Sequence, residues 1–61
     1  MGSLFSLGEW VIDIRREIVS TVFAVIEGYE TVYVLESNTD GLYVEKESGL
    51  IKYDKYHFDR E

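Results

Sequence analysis

Residues 31–53 read TVYVLESNTDGLYVEKESGLIKY, and this stretch decides the fold class. Apolar and polar residues alternate within it, and clusters of Ser, Asn, Asp and Gly separate the alternating runs. A period of two that is rich in Val and Tyr is typical of β-strands, and Asn, Asp and Gly accept the backbone conformations of tight turns. The stretch therefore predicts an antiparallel meander with turns across Ser37–Gly41 and at Ser48–Gly49.

The two faces of this meander differ in residue type. The aliphatic side chains of one parity are predicted to form the core, and these are Val32, Val34, Leu42 and Val44. Tyr33 and Tyr43 have the opposite parity, so they are predicted to share the outer face.

Residues 10–27 admit two interpretations. Nine of these eighteen residues are β-branched, which favours two strands joined by a polar bend at Arg15–Glu17, although the bend itself contains no Gly, Asn or Asp. A helix is the alternative, because Ser6 and Glu9 have the spacing of a capping box and Gly28 stands where a helix would end. The content of Val, Ile and Thr makes the strands the preferred interpretation.

Three segments resemble SH3-like small barrels of the KOW and Tudor type. They are Leu7–Val11, the pair Thr21–Ile26 and Thr31–Val34, and Leu50–Phe58. The resemblance implies an all-β, SH3-like barrel of about five antiparallel strands, and families of this barrel bind proteins or nucleic acids and are rarely enzymes. The sequence departs from those barrels at Arg15–Val19, where they usually carry a glycine. The alternative fold is α+β, with one N-terminal helix at about residues 7–27 packed on a three-stranded meander.

The length and composition predict one small domain over residues 1–61, with residues 1–6 as an N-terminal arm. There is no Cys and only one His, so no disulfide, thiolate site or multi-His zinc site is expected. A core of this size supplies only about 3–5 kcal/mol, so self-association into a homo-oligomer is a natural expectation.

The net charge of −6 repels phosphates, so nucleic-acid binding is not expected. The same charge suits a basic protein partner. It also allows a different hypothesis, in which the protein is an acidic phage-type inhibitor that mimics the charge of nucleic acid. The apolar residues between Trp10 and Ile26 are interrupted by charges, so no membrane span is expected, and the lack of Cys and of a signal peptide suggests the cytoplasm.

No catalytic motif, nucleotide-binding loop or cofactor site is recognisable, so the protein is not expected to be an enzyme. Asp54, His57 and Asp59 lie close together in sequence, but a terminal His among acids is most simply a solvated one.

The tyrosines suggest a function, because Tyr is favoured at interfaces. A Tyr-rich outer face rimmed by acids would bind a basic segment through charge and cation–π contacts. The sequence thus predicts a non-enzymatic protein-interaction module, with partner-binding residues Tyr29, Tyr33, Glu36, Tyr43 and Glu45.

Overall fold

The computed structural model describes residues 3–53, which form five β-strands and one short 3₁₀ turn. The strands are β1 (Trp10–Asp13), β2 (Ile18–Ile26), β3 (Val32–Ser37), β4 (Gly41–Lys46) and β5 (Leu50–Lys52), and the 3₁₀ turn at Glu47–Gly49 connects β4 to β5. The described residues contain no α-helix, so the all-β prediction is confirmed and the alternative helix at residues 7–27 is wrong. The proposed cluster of Asp54, His57 and Asp59 lies outside the described residues.

The five strands form one antiparallel sheet in the order β4-β3-β2-β1-β5. The expected number and direction of the strands are therefore confirmed, but the sheet is not closed into a barrel. Only three residues separate β4 from β5, and the chain leaves β4 to pair β5 with β1 at the far edge. As a result β4 and β5 are the two edges of the sheet.

The Ser6–Glu9 pair makes one of the contacts of a capping box without starting a helix. The Glu9 carboxylate accepts a hydrogen bond from the Ser6 N–H at 2.9 Å, and the Glu9 N–H donates to the Ser6 carbonyl at 3.0 Å. Gly8 lies between them at a φ of +80°, which glycine adopts without steric cost, so the segment is a tight turn. The Gly8 N–H then donates to the Val22 carbonyl at 2.8 Å, which leads the chain into the sheet.

A buried aspartate forms the bend between β1 and β2. The Asp13 Oδ1 atom accepts hydrogen bonds from the N–H groups of Arg15 and Arg16, at 3.1 and 3.2 Å. The Glu17 N–H donates to the Asp13 carbonyl at 2.7 Å, and Glu17 has a φ of +59°, in the left-handed region. Thus the chain turns without a glycine because the Asp13 side chain satisfies the backbone of the turn, an Asx-type motif.

The core lies on one face of the sheet, here called the inner face. Its buried apolar residues are Phe5, Val11, Val22, Tyr33, Leu35 and Leu50. The prediction that Val32, Val34, Leu42 and Val44 form the core is wrong, since the last two are more than half exposed and the first two are half-buried. The alternation was identified correctly, but the inner and outer faces were assigned the wrong way round. Phe5 also ties the predicted N-terminal arm to the core.

Candidate functional site

The five residues that were predicted to bind a partner do not form one exposed face. Tyr33 pairs with Glu45 in the β3–β4 register, and Tyr43 pairs with Leu35, so Tyr33, Tyr43 and Glu45 all lie on the inner face. Tyr33 and Glu45 are buried there, and Tyr43 is half-buried. Only Glu36 and Tyr29 are exposed, the first on the opposite face of β3 and the second in the β2–β3 loop.

Tyr33 is a structural residue that holds the N-terminal segment on the core. Its ring meets the ring of Phe5 edge to face at 5.5 Å. Its hydroxyl donates to Glu47 Oε2 at 2.5 Å and accepts from the Phe5 N–H at 3.2 Å, and Glu47 Oε2 also accepts from the Leu4 N–H at 3.1 Å. Burial raises the pKa of Tyr33, and the same hydrogen bond from Tyr33 lowers the pKa of Glu47. With every polar group engaged internally, Tyr33 offers nothing to a partner.

Tyr43 already has a cation over its ring. The Arg16 guanidinium lies 4.0 Å from the ring centroid, and its Nη1 atom binds Asp40 Oδ2 at 2.5 Å. The hydrogen bond that Arg16 donates to Asp40 raises the pKa of Arg16, and burial raises the pKa of Tyr43, whose hydroxyl is 2.6 Å from Ser20 Oγ. The cation–π contact that was expected with a basic partner is therefore made within the chain, because the Asp13 turn places Arg16 above the Tyr43 ring.

The cations of residues 3–53 are all paired with carboxylates. The pairs are Arg15–Glu45 at 3.6 Å, Arg16–Asp40 at 2.5 Å, Lys46–Glu30 at 3.9 Å and Lys52–Glu9 at 3.3 Å. Such pairs contribute little to stability when solvent reaches them. They do mean that basic and acidic groups are intermixed over the described surface, which leaves no cation free to anchor a phosphate.

The outer face of the sheet is the candidate site, because it is apolar and uncovered within residues 3–53. Six of its large apolar side chains remain between 41% and 58% exposed: Trp10, Val19, Ile26, Leu42, Val44 and Ile51. Ile12, Val32 and Val34 lie between them and are half-buried. A monomeric protein rarely exposes so many neighbouring apolar side chains, so this face is suited to a protein–protein contact.

One end of the outer face is shaped as an open groove beside β1 and β5. The groove has a volume of about 630 Å³ and is lined by Ile12, Ile14, Glu17, Ile18, Val19, Ile51 and Tyr53. Tyr53 stacks on Trp10 with ring centroids 5.5 Å apart and an interplanar angle of 27°. The stacked pair places two aromatic rings beside the groove.

The side of the outer face at the β4 edge of the sheet is formed by β3 and β4, here called the β3–β4 patch: Val32, Val34, Glu36, Leu42, Val44 and Lys46. The register places Val34 beside Val44, Glu36 beside Leu42, and Val32 beside Lys46. Glu36 and Lys46 thus lie at opposite ends of an aliphatic centre. The sequence signal for this patch was the run Val32–Leu35, which is apolar at both parities and is typical of a strand that is covered on both faces.

The carboxylates of the described residues do not gather into a metal site. Among residues 3–53 no three His, Cys, Asp or Glu side chains cluster closely enough to hold a metal ion. Asp13 Oδ2 is buried without a hydrogen-bond donor, but it lies 3.8 Å from Arg16 Nε and belongs to the β1–β2 turn.

Comparison with known proteins gives no relative from which to transfer a function. No protein-family model, no curated protein and no solved structure matches this chain. Residues 3–53 also contain no helix with the length and apolar character needed to cross a bilayer.

Proposed function

We propose that this protein is a non-enzymatic protein-interaction module that binds another protein chain through the apolar outer face of its sheet. The observation that carries the proposal is the set of half-exposed Trp, Val, Ile and Leu side chains on the face opposite the core. Burying apolar area of this kind is the main source of free energy in protein association. The chemistry of the partner follows from that face, and we expect aliphatic and aromatic side chains.

The likeness to SH3-like barrels remains part of this proposal. An antiparallel order in which β5 returns to pair with β1, and a 3₁₀ turn just before β5, support it. Barrels of that family act as binding modules, which agrees with a role in protein interaction. The acidic-inhibitor hypothesis has less support, because it needs a row of unpaired carboxylates along one surface, and five of the nine carboxylates of residues 3–53 lie within 3.9 Å of Lys or Arg.

The test is a comparison of three tagged proteins: the wild type, Val44→Asp and Asn38→Asp. Val44 is in the β3–β4 patch, whereas Asn38 is exposed in the β3–β4 turn, so the second variant introduces the same charge away from the outer face. Each protein is cross-linked in its host cells, purified, and its cross-linked partners are identified by mass spectrometry. We expect the wild type and Asn38→Asp to retain the same partners, including further copies of the chain, and Val44→Asp to lose them. The same set retained by all three proteins would refute the proposal.

A further inference from the structure

We propose that the occupant of the outer face is a second copy of this chain, packed face to face across a two-fold axis. The inference rests on the proposed function, since it names the partner of the same surface. Three observations carry it: the apolar area on offer, the arrangement of charge on the β3–β4 patch, and the small size of the core.

The exposed apolar area of the outer face is large enough for a modest symmetric dimer. The six half-exposed apolar residues of the outer face together present roughly 550 Å² of surface. A standard protein interface buries about 800 Å² on each partner, and an interface below about 1,000 Å² in total is usually weak. Two such faces, if fully covered, would bury about 1,100 Å² in total, which is enough for a modest dimer, and none of the buried core has to be exposed to form it.

The charge pattern of the β3–β4 patch is self-complementary in one orientation. A two-fold axis in the plane between the sheets and perpendicular to the strands, passing over the Val34–Val44 pair, reverses the strand direction of the second copy. The Glu36 end of each patch then faces the Lys46 end of the other, with the aliphatic centre packed on itself. An axis parallel to the strands would instead bring the two Glu36 ends together. Complementary charge thus selects the first orientation.

The size of the core explains why the second copy matters for stability. Six residues form the buried apolar cluster, and a domain of this length is only marginally stable on its own. A partner that binds the folded state alone stabilises it by mass action, and a second copy is present whenever the protein is made. We therefore expect the unfolding midpoint to rise with protein concentration.

Dimerisation is tested with the purified full chain by sedimentation equilibrium from about 10 μM to about 1 mM, the range in which a modest interface dissociates. The wild type should approach twice the mass of one chain. Val44→Asp places two carboxylates together at the axis and should weaken the dimer at least tenfold, whereas Asn38→Asp should leave the dissociation constant unchanged. Far-UV circular dichroism and proton NMR verify that each variant is folded.

A charge reversal tests the orientation. Glu36→Lys and Lys46→Glu should each weaken the dimer, and the double variant should restore it, because each end again meets its opposite. Lys46 also lies 3.9 Å from Glu30, so the fold of both Lys46 variants is verified before their masses are compared. If the double variant is as weak as the singles, the proposed axis is wrong.

The two proposals fail in different ways. A wild type that remains a monomer at every concentration overturns the dimer. The interaction module survives that result if other proteins still cross-link to the wild type and to Asn38→Asp, but not to Val44→Asp. If Val44→Asp changes neither the mass nor the cross-linked partners, both proposals are refuted.

Discussion

Removing the Tyr33 hydroxyl should cost much of the stability of this domain. In Tyr33→Phe the ring keeps its edge-to-face contact with Phe5, so the apolar packing of the core is preserved. The buried Phe5 N–H loses its acceptor, and leaving such a donor unsatisfied costs about 1–3 kcal/mol. The lost bond to Glu47 acts in the same direction. Against the ~3–5 kcal/mol that a core of this size supplies, the variant should be close to unfolding.

The assay is urea unfolding monitored by circular dichroism, with Tyr29→Phe as the matched control. Tyr29 is fully exposed, so removing its hydroxyl should change the free energy of unfolding by less than about 0.5 kcal/mol. Tyr33→Phe should lower the urea midpoint strongly. If both variants unfold at the wild-type midpoint, the hydrogen bonds of Tyr33 do not hold the N-terminal segment and the reasoning is refuted.

The pH dependence of the free energy of unfolding, compared between the wild type and Tyr33→Phe, gives an independent measurement. The pKa of Glu47 is lowered from its ordinary value of 4.5, chiefly by the hydrogen bond that Tyr33 donates. A carboxylate of this kind stabilises the fold above pH 4.5, and the contribution is lost as the pH falls through the lowered pKa of the folded state. The wild type should therefore lose stability below pH 4.5 more steeply than Tyr33→Phe. Equal slopes would show that the hydroxyl is not the cause of the lowered pKa.

Substitutions at three further positions, Glu17, Gly49 and Asp13, test the turns by urea unfolding. Glu17→Gly should stabilise the domain by roughly 0.5–1 kcal/mol, because Glu17 has a φ of +59°, and a lower midpoint would contradict the strain. Gly49→Ala should destabilise it by no more than about 1 kcal/mol, since a Cβ there would lie 2.6 Å from Glu45 Oε2, which is the end of a flexible side chain and can move. Gly28→Ala, which meets nothing within 4 Å, is its control, and equal midpoints would refute the clash. Asp13→Ala should lower the free energy of unfolding by about 1–3 kcal/mol. Asp13→Asn should lower it much less, because the amide oxygen still accepts hydrogen bonds from the two N–H groups of the turn. Equal losses in the two variants would mean that the charge of Asp13 matters and its hydrogen bonds do not.

The segment that was hardest to predict from the sequence contains β1, β2 and the bend between them. Residues 10–27 lacked a turn residue at Arg15–Glu17, and the Ser6–Glu9 pair suggested a helix. The Ser6–Glu9 pair does make a contact, since the Glu9 carboxylate accepts a hydrogen bond from the Ser6 N–H. The bend does contain a residue in the left-handed region, which is Glu17. The determinant of the turn was Asp13, two residues before Arg15, whose side chain accepts hydrogen bonds from the backbone of the turn.

The candidate site could not be predicted from the sequence, because the sequence does not decide which of the two faces of the sheet is buried. Val32 and Val34 are as apolar as Tyr33 and Leu35, so the alternation alone does not say which pair is buried. The inner face became the core because Phe5 and Leu50, distant in sequence, converge on Tyr33 and Leu35. Once that face was covered, the opposite residues were left as the exposed surface to which we assign the function.

The residues themselves determined that this chain is a small all-β domain, where its strands and turns fall, and which side chains share a face, because a period of two is a local property. The tertiary structure alone decided which face is buried and that the Arg16 guanidinium lies over the Tyr43 ring. It also decided that β5 pairs with β1 and that β4 and β5 remain unpaired edges, so the sheet is not closed into a barrel. These outcomes depend on contacts between residues far apart in the chain, and a local pattern does not encode which distant side chains will meet.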